Sequence, residues 1–243
     1  MTFCLGMKFR DGIVGIADTR ITSGNEFLTA KKTFVIQRKN HAMFIMTSGL
    51  RSVRDKAITY FREVIDESDR DFDKLYKAVN AFGTQVKKVS QEDKKSILES
   101  GLKFNLHALV GGQLEKDDQH KLFLLYPEGN WVEVGEMCPY FVIGTGGYGK
   151  PLLDRILTYS TSLETAIKTG FLAFDATRTS SNDVDYPLDF VIYKKGSFKI
   201  LEHRLLREDM TDVSKYWQEI IIGAVNQLPH NWISPILSGN DAD

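Results

Sequence analysis

The order in which strand-like and helix-like segments follow each other is the feature that most constrains this fold. Apolar residues alternate with polar ones over residues 2–49, as in strands, and recur three and four apart over 50–90, as in helices. Strands are predicted again over 103–143, two helices over 150–175, and a hairpin with a last helix over 188–227. Because the strands are clustered apart from the helices, antiparallel sheets covered by helix pairs are favoured over a parallel βαβ sheet. We predict an α+β fold with four layers: helix, sheet, sheet, helix.

The register of the first hairpin decides which polar side chains share a face. Its turn lies at residues 10–12. A three-residue loop, with its glycine in the left-handed region, would pair Phe9 with Ile13 and place Thr2 and Asp18 on the same face. A two-residue turn would shift the register by one and send them to opposite faces. We predict the three-residue loop.

Glycine, proline and polar clusters set the predicted boundaries of the other elements. We expect a polar loop over 23–30, a second helix over 72–90, and a strand over 103–110 that ends before Gly111 and Gly112. The helix predicted over 162–175 begins at a serine that can cap its first turn.

The length and composition indicate a globular chain. Its 243 residues are 42% hydrophobic and 26% charged, which suffices for a sizeable core and argues against disorder. No internal repeat and no linker rich in Pro, Gly or Ser divides the sequence. We therefore expect one domain over 1–243, with a loose tail from about residue 230.

The charge balance and the number of cysteines indicate which kinds of partner and which cellular compartment to expect. The 31 Lys and Arg nearly balance the 32 Asp and Glu, so no basic field exists to attract nucleic acid or anionic lipid. No apolar run approaches the ~20 residues of a membrane span, and no signal or transit peptide pattern begins the chain. The 2 cysteines are too few for a disulfide framework, which favours a reducing compartment, by default the cytoplasm.

Thr2 is the first candidate for chemistry. Removal of Met1 would leave Thr2 with both a hydroxyl and a free α-amine. The reference pKa of an α-amine is about 7.7 to 8.0, so the amine can act as the base for its own hydroxyl. Threonine is also common at the second position of chains that have no such role.

Three further residues could support a nucleophile at Thr2. Asp18 lies in the returning strand and Lys32 precedes the next one, where a lysine held by a carboxylate would stabilise an alkoxide. Gly49 offers a backbone amide for an oxyanion. Taken singly, Asp18 also fits an exposed ion pair, worth about 0 to 1 kcal/mol, and Lys32 also fits a solvated basic turn.

Together these segments resemble the opening of proteasome-type β-subunits. The resemblance rests on Thr2, the run GIADTR over 15–20, Lys32 before a strand, and Ser48-Gly49 before a helix. Within the family the chain is most similar to the bacterial ancestral β-subunit (Anbu) branch, because the threonine directly follows Met1. Two later runs support this branch, YGKPLLDR over 148–155 and DATRTS over 175–180.

The resemblance implies the N-terminal nucleophile hydrolase fold and a threonine peptidase that needs no metal or organic cofactor. It also implies self-association into rings or open helical assemblies and a peptide or protein as substrate. The family places a hydroxyl residue in a Gly-Ser-Gly turn and an Asp-x-x-Ser pair near the threonine amine, whereas this chain has GTG over 144–146 and SSND over 180–183. The implied site residues are Thr2, Asp18, Lys32, Gly49, Thr145, Asp183 and Ser180.

Other functions compete with this hypothesis. The run GTGGYGK over 144–150 fits the first seven positions of a phosphate-binding loop, but Pro151 replaces the hydroxyl that would bind magnesium, and a glycine-rich turn fits better. Cys4 could be a nucleophile but fits a buried thiol, and the five histidines lack metal-ligand spacing. A structural subunit with little activity and a small-molecule amidase with the same nucleophile remain alternatives.

Overall fold

Two five-stranded antiparallel sheets form the centre of residues 2–205 in the computed structural model, which describes residues 2–23, 26–68 and 72–238. In spatial order, the first sheet contains β10 (Tyr140–Gly144), β1 (Phe3–Phe9), β2 (Gly12–Asp18), β11 (Leu188–Lys194) and β12 (Ile200–Leu205). The second contains β5 (Thr33–Arg38), β6 (His41–Gly49), β7 (Leu106–Gln113), β8 (Lys121–Leu125) and β9 (Trp131–Glu133). All these strands pair antiparallel with their neighbours.

A pair of helices covers the outer face of each sheet. The apolar faces of α1 (Arg51–Ser68) and α2 (Leu75–Glu99) pack on the second sheet, where Phe61, Phe82 and Phe123 share one core. On the first sheet, α4 (Leu163–Ser180) packs against β1 and β2, and α3 (Lys150–Ile156) packs against α4.

A second core lies between the two sheets. Phe44 and Met46 from β6 contact Ile13 and Tyr193 from the first sheet in a cluster that excludes solvent. Burying a large apolar side chain contributes about 1.5 to 3 kcal/mol, so these sandwiched cores are the main source of stability. The predicted α+β fold with helix, sheet, sheet and helix layers is confirmed.

The predicted register of the first hairpin is wrong. Phe9 pairs with Gly12 rather than with Ile13, so the turn has two residues, Arg10 and Asp11. Gly12 has a φ of 153° and belongs to β2, where a Cβ would lie 2.1 Å from the Tyr193 carbonyl oxygen. The glycine is therefore required by the close approach of β11 and not by the loop.

The predicted polar loop over 23–30 is also wrong in part. β3 (Arg20–Ser23) and β4 (Glu26–Thr29) form a two-stranded antiparallel ribbon, while residues 24–25 lie outside the described residues. The sequence does not reveal β4 because all four of its residues are exposed, which leaves no alternation between apolar and polar faces.

Two elements extend beyond their predicted ends. α2 continues nine residues past 90 to Glu99, because its last turns contain exposed, good helix formers and neither Gly nor Pro occurs between residue 90 and Gly101. β7 begins at Leu106 and runs through its two glycines to Gln113, and glycine is required at Gly111 because a Cβ there would lie 2.6 Å from the Phe44 ring. As predicted, Ser162 caps α4 by accepting a hydrogen bond from the Thr165 N–H at 3.2 Å.

Residues from Leu206 onward form a second compact unit. Its main helix, α5 (Arg207–Asn226), begins where the Leu206 N–H donates to the Asp209 carboxylate at 2.7 Å, and none of its residues is buried. The tail predicted from about residue 230 contains the short helix α6 (Ser234–Ser238), and residues 239–243 lie outside the described residues. The single domain over 1–243 stays a prediction.

None of the described helices combines the length and apolar character needed to cross a membrane.

Candidate active site

Thr2 is buried at the start of β1 and is fixed by its backbone. Its carbonyl oxygen accepts a hydrogen bond from the Thr145 N–H at 2.6 Å. Gly144 precedes this contact with a φ of 88°, and a Cβ there would lie 1.9 Å from the Thr2 carbonyl oxygen. The end of β10 thus holds Thr2 by a contact that only glycine permits. Met1 lies outside the described residues.

Asp18 and Lys32 form a buried ion pair. The Lys32 Nζ donates to Asp18 Oδ1 at 2.7 Å and to the Arg20 carbonyl oxygen at 2.7 Å, so one of its three N–H bonds has no partner among the described residues. The side chains of Lys32 and Asp18 are only 4% and 0% exposed. Because both charges are removed from water, the pair depends on its close geometry and on additional hydrogen bonds.

The link from this pair to Thr2 runs through the backbone of β1. Cys4 pairs with Ala17, so the pleat places Asp18 on the opposite face from these two residues and not on the face predicted for it. The Asp18 carboxylate instead accepts a hydrogen bond from the Phe3 N–H at 2.8 Å, at the peptide bond next to Thr2. The corrected register therefore still connects Thr2 and Asp18, by a different route.

The ionisation of Asp18 reflects two opposing effects. Burial raises the pKa of the Asp18 carboxyl above its ordinary value, while the Lys32 ammonium and the Phe3 N–H oppose that rise by favouring the carboxylate. Asp18 Oδ2 is buried without a hydrogen-bond partner within the described part of the chain. Unpartnered buried oxygens are rare in folded proteins and often mark functional sites.

Thr2, Lys32 and Gly49 line one cleft of about 680 Å³. Gly49 ends β6 with a φ of 137°, and a Cβ there would lie 2.1 Å from the Asn105 carbonyl oxygen. Glycine is therefore needed for the chain to turn from β6 into α1 beside the cleft. The cleft combines a hydroxyl, a buried ammonium and a backbone free of side-chain bulk, which are the parts needed for acyl transfer.

The structure places the other predicted site residues in different positions. Thr145 contacts Thr2 directly through its N–H. Ser180 ends α4 with its side chain exposed, and Asp183 is half-buried in the following segment. Neither Ser180 nor Asp183 lines the cleft, so their roles near the amine stay predictions.

The competing motifs do not form alternative sites. Burial raises the pKa of the Cys4 thiol far above its ordinary value, and the thiol contacts the Thr47 carbonyl oxygen at 3.7 Å. The Lys150 ammonium is paired with Asp154, and the glycine-rich run connects an antiparallel strand to α3. Among residues 2–23, 26–68 and 72–238, no three His, Cys, Asp or Glu side chains are grouped to hold a metal ion.

Three basic residues of the cleft were not predicted. Arg51 and Arg54 lie in the first turn of α1, and Lys103 precedes β7. Each resembles an ordinary exposed charge in the sequence. The only signal that could have identified them was their position in the first turn of the helix that follows Gly49 and in the segment before the strand that pairs with β6.

The fold and the cleft define the class of this protein. The sequence profile described as "Proteasome subunit" matches residues 2–186, which is more than half of the chain. The chain belongs to the proteasome subunit family. The two stacked antiparallel sheets flanked by helix pairs are the N-terminal nucleophile hydrolase fold of that family.

Solved structures place the similarity within one branch of the family. The ancestral β-subunit, Anbu, from Yersinia bercovieri is 27% identical, with a TM-score of 0.85 over 93% of this chain and 97% of that one. The helical assembly of the Anbu complex from Pseudomonas aeruginosa is 25% identical, with a TM-score of 0.88 over 93% and 97% of the two chains. The predicted resemblance to the Anbu branch is confirmed. A comparison with curated proteins gives no match.

Proposed function

We propose that the chain is a threonine peptidase that uses Thr2 as its nucleophile after removal of Met1. The Thr2 hydroxyl attacks the carbonyl carbon of a peptide bond, and the Thr2 α-amine accepts the hydroxyl proton. The leaving amine takes that proton when the peptide bond breaks, which leaves an ester between Thr2 and the acyl part of the substrate. Water then hydrolyses the ester, with the same amine as the base.

The surrounding residues favour the charged species of this reaction. The Lys32 ammonium, held by Asp18, lowers the cost of forming the Thr2 alkoxide. We assign the Gly49 amide to the oxyanion of the tetrahedral intermediate, since Gly49 and Thr2 line the same cleft. The Thr145 N–H positions Thr2 by donating a hydrogen bond to the Thr2 carbonyl oxygen. Asp183 and Ser180 are proposed to orient the amine.

The observation that carries the proposal is the buried Lys32–Asp18 pair, whose lysine lines the cleft that also contains Thr2. A buried ammonium is costly to maintain, and a purely structural position could use an apolar residue. The test is pre-steady-state hydrolysis of a fluorogenic peptide anilide by protein whose mass shows that Met1 is absent. Steady release of fluorophore is expected, preceded by a burst equal to the enzyme concentration when hydrolysis of the Thr2 ester is slower than its formation. Absence of both burst and turnover would reject the proposal.

A role as an assembling subunit with little activity is the second candidate, and α5 favours it. An apolar stripe of this helix is exposed to solvent; its members include Val213, Ile220, Ile221 and Val225, which are 41 to 60% exposed. A single chain rarely leaves so large an apolar patch uncovered. The related Pseudomonas aeruginosa Anbu forms a helical assembly. We propose that α5 contacts a second copy of the chain, in a cytoplasmic ring or helical homo-oligomer.

Replacing Ile221 with Asp should weaken self-association at least about tenfold, because a charge is buried at the contact. Sedimentation velocity over a range of micromolar concentrations measures the change. The matched control is Glu219→Asp on the same helix, which keeps the charge and should sediment as the wild type does. A wild-type protein that remains monomeric at all these concentrations would remove the assembly proposal and leave the peptidase proposal intact.

A further inference from the structure

The side chains that line the cleft beside Thr2 include many positive charges. Its described lining contains no Asp or Glu. Its basic lining residues are Arg20, Lys32, Arg51, Arg54 and Lys103. A chain whose Lys and Arg are balanced by its Asp and Glu thus concentrates positive charge at one concave site, where low-dielectric walls strengthen the potential.

Two of these cations are neutralised from outside the cleft. Asp18 balances Lys32 at 2.7 Å. Asp185 balances Arg20 at 3.0 Å, and the Arg20 guanidinium also stacks over the Phe27 ring at 3.6 Å. These residues have structural partners and contribute little net charge to a ligand.

Within the described residues, the other three cations have only one carboxylate among them. Arg54 contacts Asp55 at 2.6 Å, and Arg51 contacts the same carboxylate at 3.3 Å. Lys103 is exposed and makes no ion pair with any residue that the structure describes. The first turn of α1 and the segment before β7 therefore present two positive charges in excess to the cleft.

Part of the remaining lining of the cleft is aliphatic. Ile21 and Leu28 come from the β3–β4 ribbon, and Leu50 lies between Gly49 and α1. A side chain entering here would pack its methylene groups on aliphatic surface and bring its end to the guanidinium and ammonium groups. An Asp or Glu side chain has this combination, and charge-assisted hydrogen bonds to Arg are about twice as strong as neutral ones.

We propose that this cleft selects peptides with an acidic side chain directly on the acyl side of the cleaved bond, with Arg51, Arg54 and Lys103 as the specificity-determining residues. The inference rests on the proposed peptidase function. Lys32 is committed to Asp18 and to the nucleophile, so it does not provide this selectivity.

Equilibrium binding to the Thr2→Ala variant tests the selectivity without requiring catalysis. The probes are acetylated tetrapeptide amides that differ only in the last residue, Glu, Gln or Leu, and their binding is measured by isothermal titration calorimetry. The Glu peptide should bind about tenfold more tightly than the Gln peptide. The preference should fall as salt is added, because Arg51 and Lys103 are exposed to solvent. Equal binding of Glu and Gln peptides would overturn the proposal.

Variants distinguish the effect of the positive charges in the cleft from the effect of the protein's overall charge. The double variant Arg51→Gln with Lys103→Gln should lose most of the preference, while Lys95→Gln, a charge removal on an exposed part of α2, should keep it. Loss of the preference in Lys95→Gln alone would overturn the assignment to the cleft. A tetrapeptide with a free terminal carboxylate and last residue Leu controls for recognition of chain ends, and preference for it alone would also overturn the proposal.

Turnover distinguishes this inference from the proposed function. If wild-type protein hydrolyses Gln and Glu anilides equally, the selectivity proposal fails and the peptidase remains. If no anilide is hydrolysed while the Thr2→Ala variant still prefers the Glu peptide, the peptidase fails and the cleft remains a carboxylate-binding site.

Discussion

Replacing Thr2 with alanine is expected to abolish both the burst and the steady-state hydrolysis of peptide anilides, a loss of at least about 10³-fold. The change removes the hydroxyl that forms the ester, and removing an enzymatic nucleophile eliminates nearly all catalysis beyond binding. Thr2 is fixed through its carbonyl oxygen and not through its side chain, so the alanine variant should fold normally. Stopped-flow fluorescence with processed protein measures the effect.

Two further variants control this experiment. Thr2→Ser keeps a hydroxyl beside the α-amine and should retain measurable turnover. Thr84→Ala removes a threonine hydroxyl from an exposed position on α2 and should hydrolyse the substrate at the wild-type rate. Wild-type turnover by Thr2→Ala would show that another group is the nucleophile.

Replacing Lys32 with methionine should have the second largest effect, on stability as well as activity. Asp18 would keep its buried position but lose its partner at 2.7 Å. Removing one member of a buried ion pair typically costs about 3 to 5 kcal/mol, because the other charge is left uncompensated. We expect this decrease in the free energy of unfolding, measured by urea denaturation, together with loss of the burst.

The double variant Lys32→Met with Asp18→Asn separates the two effects. It removes both charges, so it should be more stable than Lys32→Met alone while remaining inactive. Recovery of activity together with stability would mean that the ammonium has only a structural role. A stability loss near zero in Lys32→Met would contradict the burial of the pair.

The sequence predicts the layers of this fold well because the periodicity of apolar residues is a local property. The three-to-four spacing of apolar residues in α1 follows directly from which of its side chains are buried, and β1 and most of β6 are buried on both faces, which their apolar content reflects. The exposed ribbon strand β4 and the last turns of α2 lack a buried face, so their pattern carries no such information.

The site is less predictable because it depends on contacts between distant residues. The hairpin register is set by the approach of Tyr193 to Gly12, which no short-range rule for turns contains. The structure brings Asp18 and Lys32 together, although they are joined to Thr2 through the Phe3 N–H and not through a shared strand face. The basic residues of the cleft, Arg51, Arg54 and Lys103, come from segments some fifty positions apart. Their excess of positive charge therefore becomes visible only in the fold.

The central claim is that the hydroxyl and the α-amine of Thr2 act together beside a buried ammonium. The most direct measurement is peptide mapping by mass spectrometry after reaction with a peptide epoxyketone, an electrophile that can bond to both groups. We expect the adduct on the peptide that begins at Thr2, and no adduct in the Thr2→Ala variant. Protein that lacks Met1 and remains unmodified at Thr2, or that carries the adduct elsewhere, would contradict the claim.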